Sequence, residues 1–439
     1  MRQKVKDLYE VITSRFYVGN EILRLGERRY EPVSLIGLFT LILDGRELVS
    51  GEYGSGKTTS SERISSLLLG LPLQFVQATT IHGHPEQTEE KIKATLDLAA
   101  LEKEGNEVVK WKVTPFSPAI IIDEINRLPV GKQNMLLNEV DRNIWSYRGE
   151  TLFFEHDKSF FATINYQDTG ATNLVPPLLD RFDVAVETGR LHPLRKRLVR
   201  RGIKEGILED GDFARKIVNY VVENAVSQNA HELTKYINEC RDEFREKLEE
   251  RFREEGMEID IPGIDELRKA KEEIMETEVS DDTELFLDYI GQEVQCQLGL
   301  SKDFSKCSGC HYANYICSDL YSISGRAEKS IFKYAKALAW LNNEEVGLEH
   351  LLAIIPYTLW HRSAVNDELL SRIRDVEKES SDKIYAIEEI VGSVKDRWYE
   401  HREYQIDAYR SVQEGDYERV KEIAKKINHP FFKSLIREI

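Results

Sequence analysis

The stretch VSGEYGSGKTTSSERI, residues 49–64, decides the fold. A short apolar strand runs into Gly51, Gly54 and Gly56, and Lys57-Thr58 then opens a polar helix. Gly51-x4-Gly56-Lys57-Thr58 fits the phosphate-loop pattern, with the strand before it and the helix after it that the pattern requires. Glycines let backbone N–H groups approach phosphate oxygens. The Lys57 ammonium is placed to reach the β- and γ-phosphates, and the Thr58 hydroxyl to ligate Mg²⁺. The candidate nucleotide contacts are thus Gly51, Glu52, Tyr53, Gly54, Ser55, Gly56, Lys57, Thr58 and Thr59.

Further motifs follow in an order that suits the loop. AIIIDEINR (119–127) is an apolar strand ending in two carboxylates. Asp123 would hold the Mg²⁺ shell, and Glu124 would activate a water against the γ-phosphate. SFFATIN (159–165) is another strand, and Asn165 at its end is either a γ-phosphate sensor or a strand-end cap. PPLLDRFDV (176–184) presents Arg181 at a helix end. Its guanidinium either stabilises transition-state charge in a neighbouring subunit or makes a surface salt bridge.

From about Phe16 to Arg190 short β-branched strands alternate with amphipathic helices, an α/β layout. ELVSG (47–51), LQFVQAT (73–79), AIIID and SFFATIN read as strands, and VSLIGLFTLIL (33–43) as a core helix. LAALEKEGNEVVKWKV (98–113) and IWSYRGETLFFEHDKS (144–159) read as hairpins, the second with Arg148-Gly149 near its tip. Trp111, Trp145 and Tyr147 on these hairpins either pair strands or grip a substrate. Beyond Arg190 the chain is charged and helix-forming. Tyr236, Cys240, Phe244, Leu248 and Phe252 make an apolar stripe suited to a helical hairpin packed on the body. The expected division is an α/β nucleotide-binding domain at 1–190 and a helical linker with a charged insertion at 191–280. A helical lid at 281–362 and a helical extension at 363–439 follow.

The 439 residues carry a net charge of -17, which speaks against nucleic acid or an acidic membrane as the main partner. RLHPLRKRLVRRG (190–202) is a basic exception, read as a phosphate-binding patch or a helix face paired with the neighbouring acidic insertion. MRQKVKDLYEVI opens as an amphipathic helix rather than an export signal, and no apolar run is long enough to span a membrane. The expected location is the cytoplasm. Four of the five cysteines cluster as Cys296, Cys307, Cys310 and Cys317, with His311 beside Cys310. Their spacing suits tetrahedral Zn²⁺, with an iron–sulfur cluster or buried thiols as alternatives. Zinc here would staple the loop between two lid helices.

Together, GEYGSGKTT, IIIDEINRLPVGKQNMLLNEVDRN, FFATINYQDTGATNLVPPLLDRFDV and SISGRAEKSIFKYAKALAWLNNEEVGLEHLLAIIPYTLWHR resemble the MoxR family of AAA+ ATPases. The resemblance covers roughly residues 16–190 and 278–362. It implies a phosphate-loop ATPase core followed by an α-helical lid, assembled as a hexameric ring with ATP and Mg²⁺ between subunits. It implies Lys57 and Thr58 as Walker A, Asp123 and Glu124 as Walker B, and Asn165 as sensor 1. Arg181 matches the finger acting in trans, Arg326 matches sensor 2, and the two hairpins match inserts that point toward the ring channel. It further implies a remodelling chaperone with a protein client and a von Willebrand factor A-domain partner. Tyr53, Tyr166 and Gly325 depart from the family, each standing where a proline is usual. The rival readings are a nucleic-acid motor, which the net charge disfavours, and a nucleotide-gated scaffold, which Glu124, Asn165 and Arg181 disfavour.

Overall fold

The computed structural model describes residues 1–98, 100, 102, 107–165, 174–202, 205–296 and 315–438. Tyr166, Cys307, Cys310 and His311 lie outside the described residues. Two compact units result: Met1–Arg24 with Arg28–Ile274, and Leu25–Glu27 with Met275–Ile439.

In the first unit β1 (Arg46–Gly51), β2 (Ile81–His82), β3 (Ala119–Asp123), β4 (Ser159–Ile164) and β5 (Val184–Thr188) form one parallel sheet. Their order is β5-β1-β4-β3-β2. Leu48, Val49, Ile120–Ile122 and Phe160–Ile164 are buried, as expected for parallel strands covered on both faces. Val49 pairs with Thr163, Ile122 with Ala162 and Gly51 with Thr188, so the carboxyl ends of β1, β3, β4 and β5 share one edge. After β1 the chain crosses to the far side of the sheet, and after β4 it returns to place β5 outside β1. That reversal opens a crevice beyond the strand ends.

The apolar run after Pro32 is indeed a core helix, α1 (Pro32–Ile42), and all its residues are buried. Pro32 starts it, and the buried Glu31 carboxylate caps it by accepting the Val33 and Ser34 N–H groups at 3.0 and 2.7 Å. α2 (Lys57–Leu69) leaves the phosphate loop. LQFVQAT corrects the sequence reading: it is helix α3 (Leu73–Thr79), started by Pro72, and the second strand is the two-residue β2 that follows. Leu73, Val76 and Thr79 are buried at helical spacing, and the Thr79 and Thr80 hydroxyls donate back to carbonyls one turn earlier.

The first unit also takes in most of the segment set apart in sequence as 191–280. There α4 (Gly211–Asn224), α5 (Ala230–Glu254) and α6 (Ile264–Met275) begin. α4 and α5 pack together through stacked Phe213 and Phe244, with ring centroids 5.9 Å apart. Cys240, Phe244, Leu248 and Phe252 are buried along one side of α5, while Tyr236 is half-buried against Tyr220. The α5 helix is fastened to α2 by buried Arg241, which donates to the Leu69 carbonyl at 2.8 Å.

The second hairpin forms, Trp145–Tyr147 pairing with Glu150–Leu152 across a turn of left-handed Arg148 and Gly149. The first is corrected: Val109–Trp111 pairs with Ala94–Leu96, a strand that precedes the expected stretch 98–113 rather than lying within it. Trp111, Trp145 and Tyr147 are all buried, so these rings pack inward rather than project from the hairpins. A buried ion pair joins Lys93, just before the first hairpin, to Glu139 in the helix before the second, and the Tyr147 hydroxyl of the second hairpin bonds to Glu90 at 3.3 Å.

The second unit is helical: α7 (Asp281–Val294), α8 (Gly325–Asn342), α9 (Leu348–Leu359), α10 (Asp382–Glu414), α11 (Tyr417–Lys426) and α12 (Pro430–Glu438). Trp340, Trp360 and Trp398 fill its core. Glu293 at the end of α7 is buried and takes Arg397 Nε at 2.8 Å and His429 Nε2 at 3.0 Å. No helix among the described residues is long and apolar enough to cross a membrane.

Candidate active site

The loop between β1 and α2 turns through Gly51, Gly54 and Gly56, all at positive φ. At Gly51 a β-carbon would stand 1.9 Å from Thr188 Oγ1, so only glycine lets the loop leave β1 against β5. Ser55 Oγ lies 2.6 Å from the same Thr188 hydroxyl and donates to the Glu52 carbonyl. Lys57 is buried and folds its ammonium back on the Gly51 and Glu52 carbonyls at 2.9 and 2.7 Å. Burial pulls its pKa down, against the opposing charges of Asp123 and Glu124.

Across the crevice, Asp123 Oδ1 accepts from the Thr58 hydroxyl and, at 2.7 Å, from the Thr163 hydroxyl. The parallel pairing of β3 with β4 and the start of α2 under β1 bring these three residues together. Thr163 Oγ1 in turn accepts the Glu124 N–H at 2.8 Å. Glu124 has φ 50°, a left-handed conformation that is uncommon outside glycine, and marks the abrupt turn after β3. Its carboxylate meets Arg127 Nη1 at 3.0 Å. His82 Nδ1, at the end of β2, stands 3.5 Å from Asp123 Oδ2. Asn165 is buried just beyond β4, and its carbonyl accepts from Asn126 at 2.9 Å.

Next to the loop opens a cleft of about 700 Å³. Glu52–Gly56 and Thr59 form one side, Phe16, Tyr17 and Val18 another, and the basic segment from Arg190 to Arg200 a third. Arg63 of α2 also lines it, donating to the Phe16 carbonyl at 2.6 Å. Residues 47–182 match the AAA domain of the dynein-related subfamily. Among solved structures that match is the crystal structure of a candidate ATPase from Cytophaga hutchinsonii. It is 18% identical, covers 90% of this chain and 94% of that one, and superposes with a TM-score of 0.57. The fold is that of an AAA+ ATPase. No curated protein matches the chain.

Within the AAA+ domain the nine loop residues, Asp123, Glu124 and Asn165 all lie at the carboxyl edge of the sheet. Arg181 does not. It precedes β5, whose far end at Thr188 touches the loop, so a strand length separates it from its own phosphate loop. There its Nε sits 3.5 Å from Asp141 and its guanidinium donates to the Pro177 carbonyl. Arg326 is exposed in the first turn of α8, in the second unit. The oxygen donors of Thr58 and Asp123 suit Mg²⁺, a hard cation.

The sequence reading missed the cleft walls. The signal was present in the basic run, but its partner was not: Arg190 Nε donates to Glu52 of the loop at 2.9 Å, and Arg195 to the Gly19 carbonyl. None of these partners belongs to the acidic insertion. Among the described residues no group of three or more His, Cys, Asp or Glu is placed to hold a metal. Cys296 and Cys317 are half-buried, while Cys240 belongs to the α5 core.

Proposed function

We propose that this chain is a MoxR-type AAA+ remodelling chaperone that hydrolyses ATP between the subunits of a hexameric ring. The observation that carries the reading is the Thr58–Asp123–Thr163–Glu124 network, which sets an oxygen-donor pair and a separate carboxylate beside a phosphate loop. On ATP binding the loop N–H groups and Lys57 take the β- and γ-phosphates, and the 700 Å³ cleft receives the nucleoside end. Thr58 and Asp123 would hold Mg²⁺, which would supply charge neutralisation for the phosphates. Glu124 orients a water and accepts its proton as the water oxygen bonds to the γ-phosphorus. The bond to the β–γ bridging oxygen breaks, releasing ADP and phosphate. The Asn165 amide senses the γ-phosphate.

Arg181 supplies charge to the neighbouring subunit's nucleotide, a role supported by its place at the opposite edge of the sheet from its own loop. Arg326 contacts nucleotide as sensor 2. The buried Lys93–Glu139 pair supports coupling of the cycle to the hairpins. A cytoplasmic protein client, with a von Willebrand factor A-domain partner, is the object of the work. Cys296, Cys307, Cys310 and Cys317 bind a structural zinc ion. Glu293 and Tyr315, on either side of that segment, both meet Arg397 and His429, and the nearness of these flanking residues supports the reading.

The test is a trap. Glu124→Gln retains ATP without turnover, and the complex recovered from the native host is identified by mass spectrometry. An A-domain protein or one dominant client is the expected result. Nucleic acid with replication or repair proteins would replace the chaperone by a motor. Metal analysis of the wild-type protein should return about one zinc per chain, and none in Cys310→Ser.

A further inference from the structure

We propose that Arg127 is a positioning residue for Glu124, and that Tyr53 ties it to the phosphate loop. The inference rests on the reading of Glu124 as the group that activates water.

Three observations meet at Arg127. Its Nη1 lies 3.0 Å from Glu124 Oε2. Its Nη2 lies 3.5 Å from the Tyr53 hydroxyl, at the long limit of a hydrogen bond. Glu124 itself is fixed at the backbone, by the bond from its N–H to Thr163, but its side chain hangs from a left-handed turn and is part-exposed. A carboxylate so placed has free χ rotations, and a planar guanidinium donating to one oxygen removes most of them. The other oxygen is left for water. The turn Ile125–Arg127 is a single 3-10 turn, which puts Arg127 over Glu124 at three-residue spacing.

Tyr53 gives this pair its link to the ligand. It stands where the related family usually has proline, and proline offers no hydroxyl. Tyr53 is 58% exposed on the loop that must receive the phosphates. When the loop closes on a triphosphate, Tyr53 moves with it, and Arg127 follows. The water-activating carboxylate is thereby set by the occupancy of the loop rather than by β3 alone.

The experiment is steady-state ATP turnover by the full-length chain. Arg127→Ala should lower kcat about tenfold with KM for ATP within twofold, and Arg127→Lys should recover part of the loss. Tyr53→Phe should lower kcat about threefold. The double variant should be no slower than Arg127→Ala, because both act through one contact. Part-exposure of Arg127 leaves folding intact, checked by an unchanged melting temperature. Independent, multiplicative losses, an Arg127→Ala kcat within twofold of wild type, or a loss confined to KM would each overturn the proposal. Glu124→Gln is the control that separates the two readings. If it remains active, the assignment of Glu124 fails. If it is inactive while Arg127→Ala is not, only the positioning role of Arg127 fails.

Discussion

A β-carbon built on Gly83 would stand 2.1 Å from the Glu124 carbonyl oxygen. The two residues belong to the ends of adjacent strands, and the Gly83 N–H donates to the Asp123 carbonyl at 2.7 Å. The left-handed turn at Glu124 thus fits only against a bare backbone. Gly83→Ala must push the turn away from β2 and break the alignment of Glu124 with Thr163. Its kcat should fall at least tenfold while nucleotide affinity, set by the loop, stays within a few-fold. Fluorescent-nucleotide titration alongside turnover checks this. A variant with normal kcat would mean that the turn tolerates displacement.

Arg181 offers a test of assembly. It is parked on Asp141 at the edge of the sheet opposite the phosphate loop, and the proposed role places it at a neighbour's nucleotide instead. Arg181→Ala should abolish the rise of specific activity with protein concentration and leave ATP binding intact. Mixed with Glu124→Gln subunits, it should regain turnover, because a Glu124→Gln neighbour still carries Arg181 while the Arg181→Ala subunit supplies Glu124. Failure of mixtures to recover activity would place Arg181 in a structural role.

Buried carboxylates make the first unit less stable at high pH. Glu47 sits on β1 with 1% exposure, accepting from the Thr40 hydroxyl at 2.9 Å, and burial raises its pKa to about 8. Its ordinary value is 4.5, so the folded state holds a proton that the unfolded state releases between those two pH values. Stability contributed by the neutral form therefore falls as pH rises from 4.5 to about 8, then levels. Glu31, raised to about 7 by burial, acts in the same direction. Glu47→Gln should match wild type in melting temperature near pH 5 and exceed it increasingly toward pH 8. An equal difference at both pH values would show that Glu47 does not titrate on unfolding.

What could be read from the sequence is what is local. The phosphate loop is contiguous, and the apolar runs of β3 and β4 each end in a polar residue that the pairing brings beside it. LQFVQAT was misread because Leu73, Phe75 and Val76 satisfy both a two-residue and a three-to-four-residue period. The true strand, Ile81–His82, is too short to show any period. The cleft could not be read, since Tyr17, Thr59 and Arg190 meet only after the sheet has folded. Trp111, Trp145 and Tyr147 carried both readings until their burial decided between them. Arg127 lay inside the motif that was read, but only its approach to Glu124 and Tyr53 gives it a task.

The second unit should be labile at low pH, opposite to the first. His429 is fully buried, its ring stacked on Tyr289 with centroids 4.1 Å apart. Its Nδ1 accepts the Phe431 N–H at 3.1 Å, so in the neutral ring the proton is on Nε2 and is donated to Glu293. Protonation would set an N–H against the Phe431 N–H and release the first turn of α12. Burial holds the His429 pKa below its ordinary value of 6.5, outweighing the pull of Glu293, while His401 and Arg397 also oppose a second charge. Glu293 itself is held below 4.5, because its bonds to Arg397 and His429 outweigh the opposing effect of burial. A base with a lowered pKa stabilises fully above its unfolded value and loses that contribution as pH falls from 6.5 toward the folded value. The Glu293 contribution is lost lower still, as pH falls through its own folded value. Unfolding of this unit, followed by tryptophan fluorescence, should therefore become easier as pH falls below 6.5. His429→Asn keeps a side chain able to cap α12 but cannot take up a proton. It should be less stable than wild type at pH 8 yet lose less between pH 6.5 and 5. Parallel losses in both proteins would assign the acid lability to other groups.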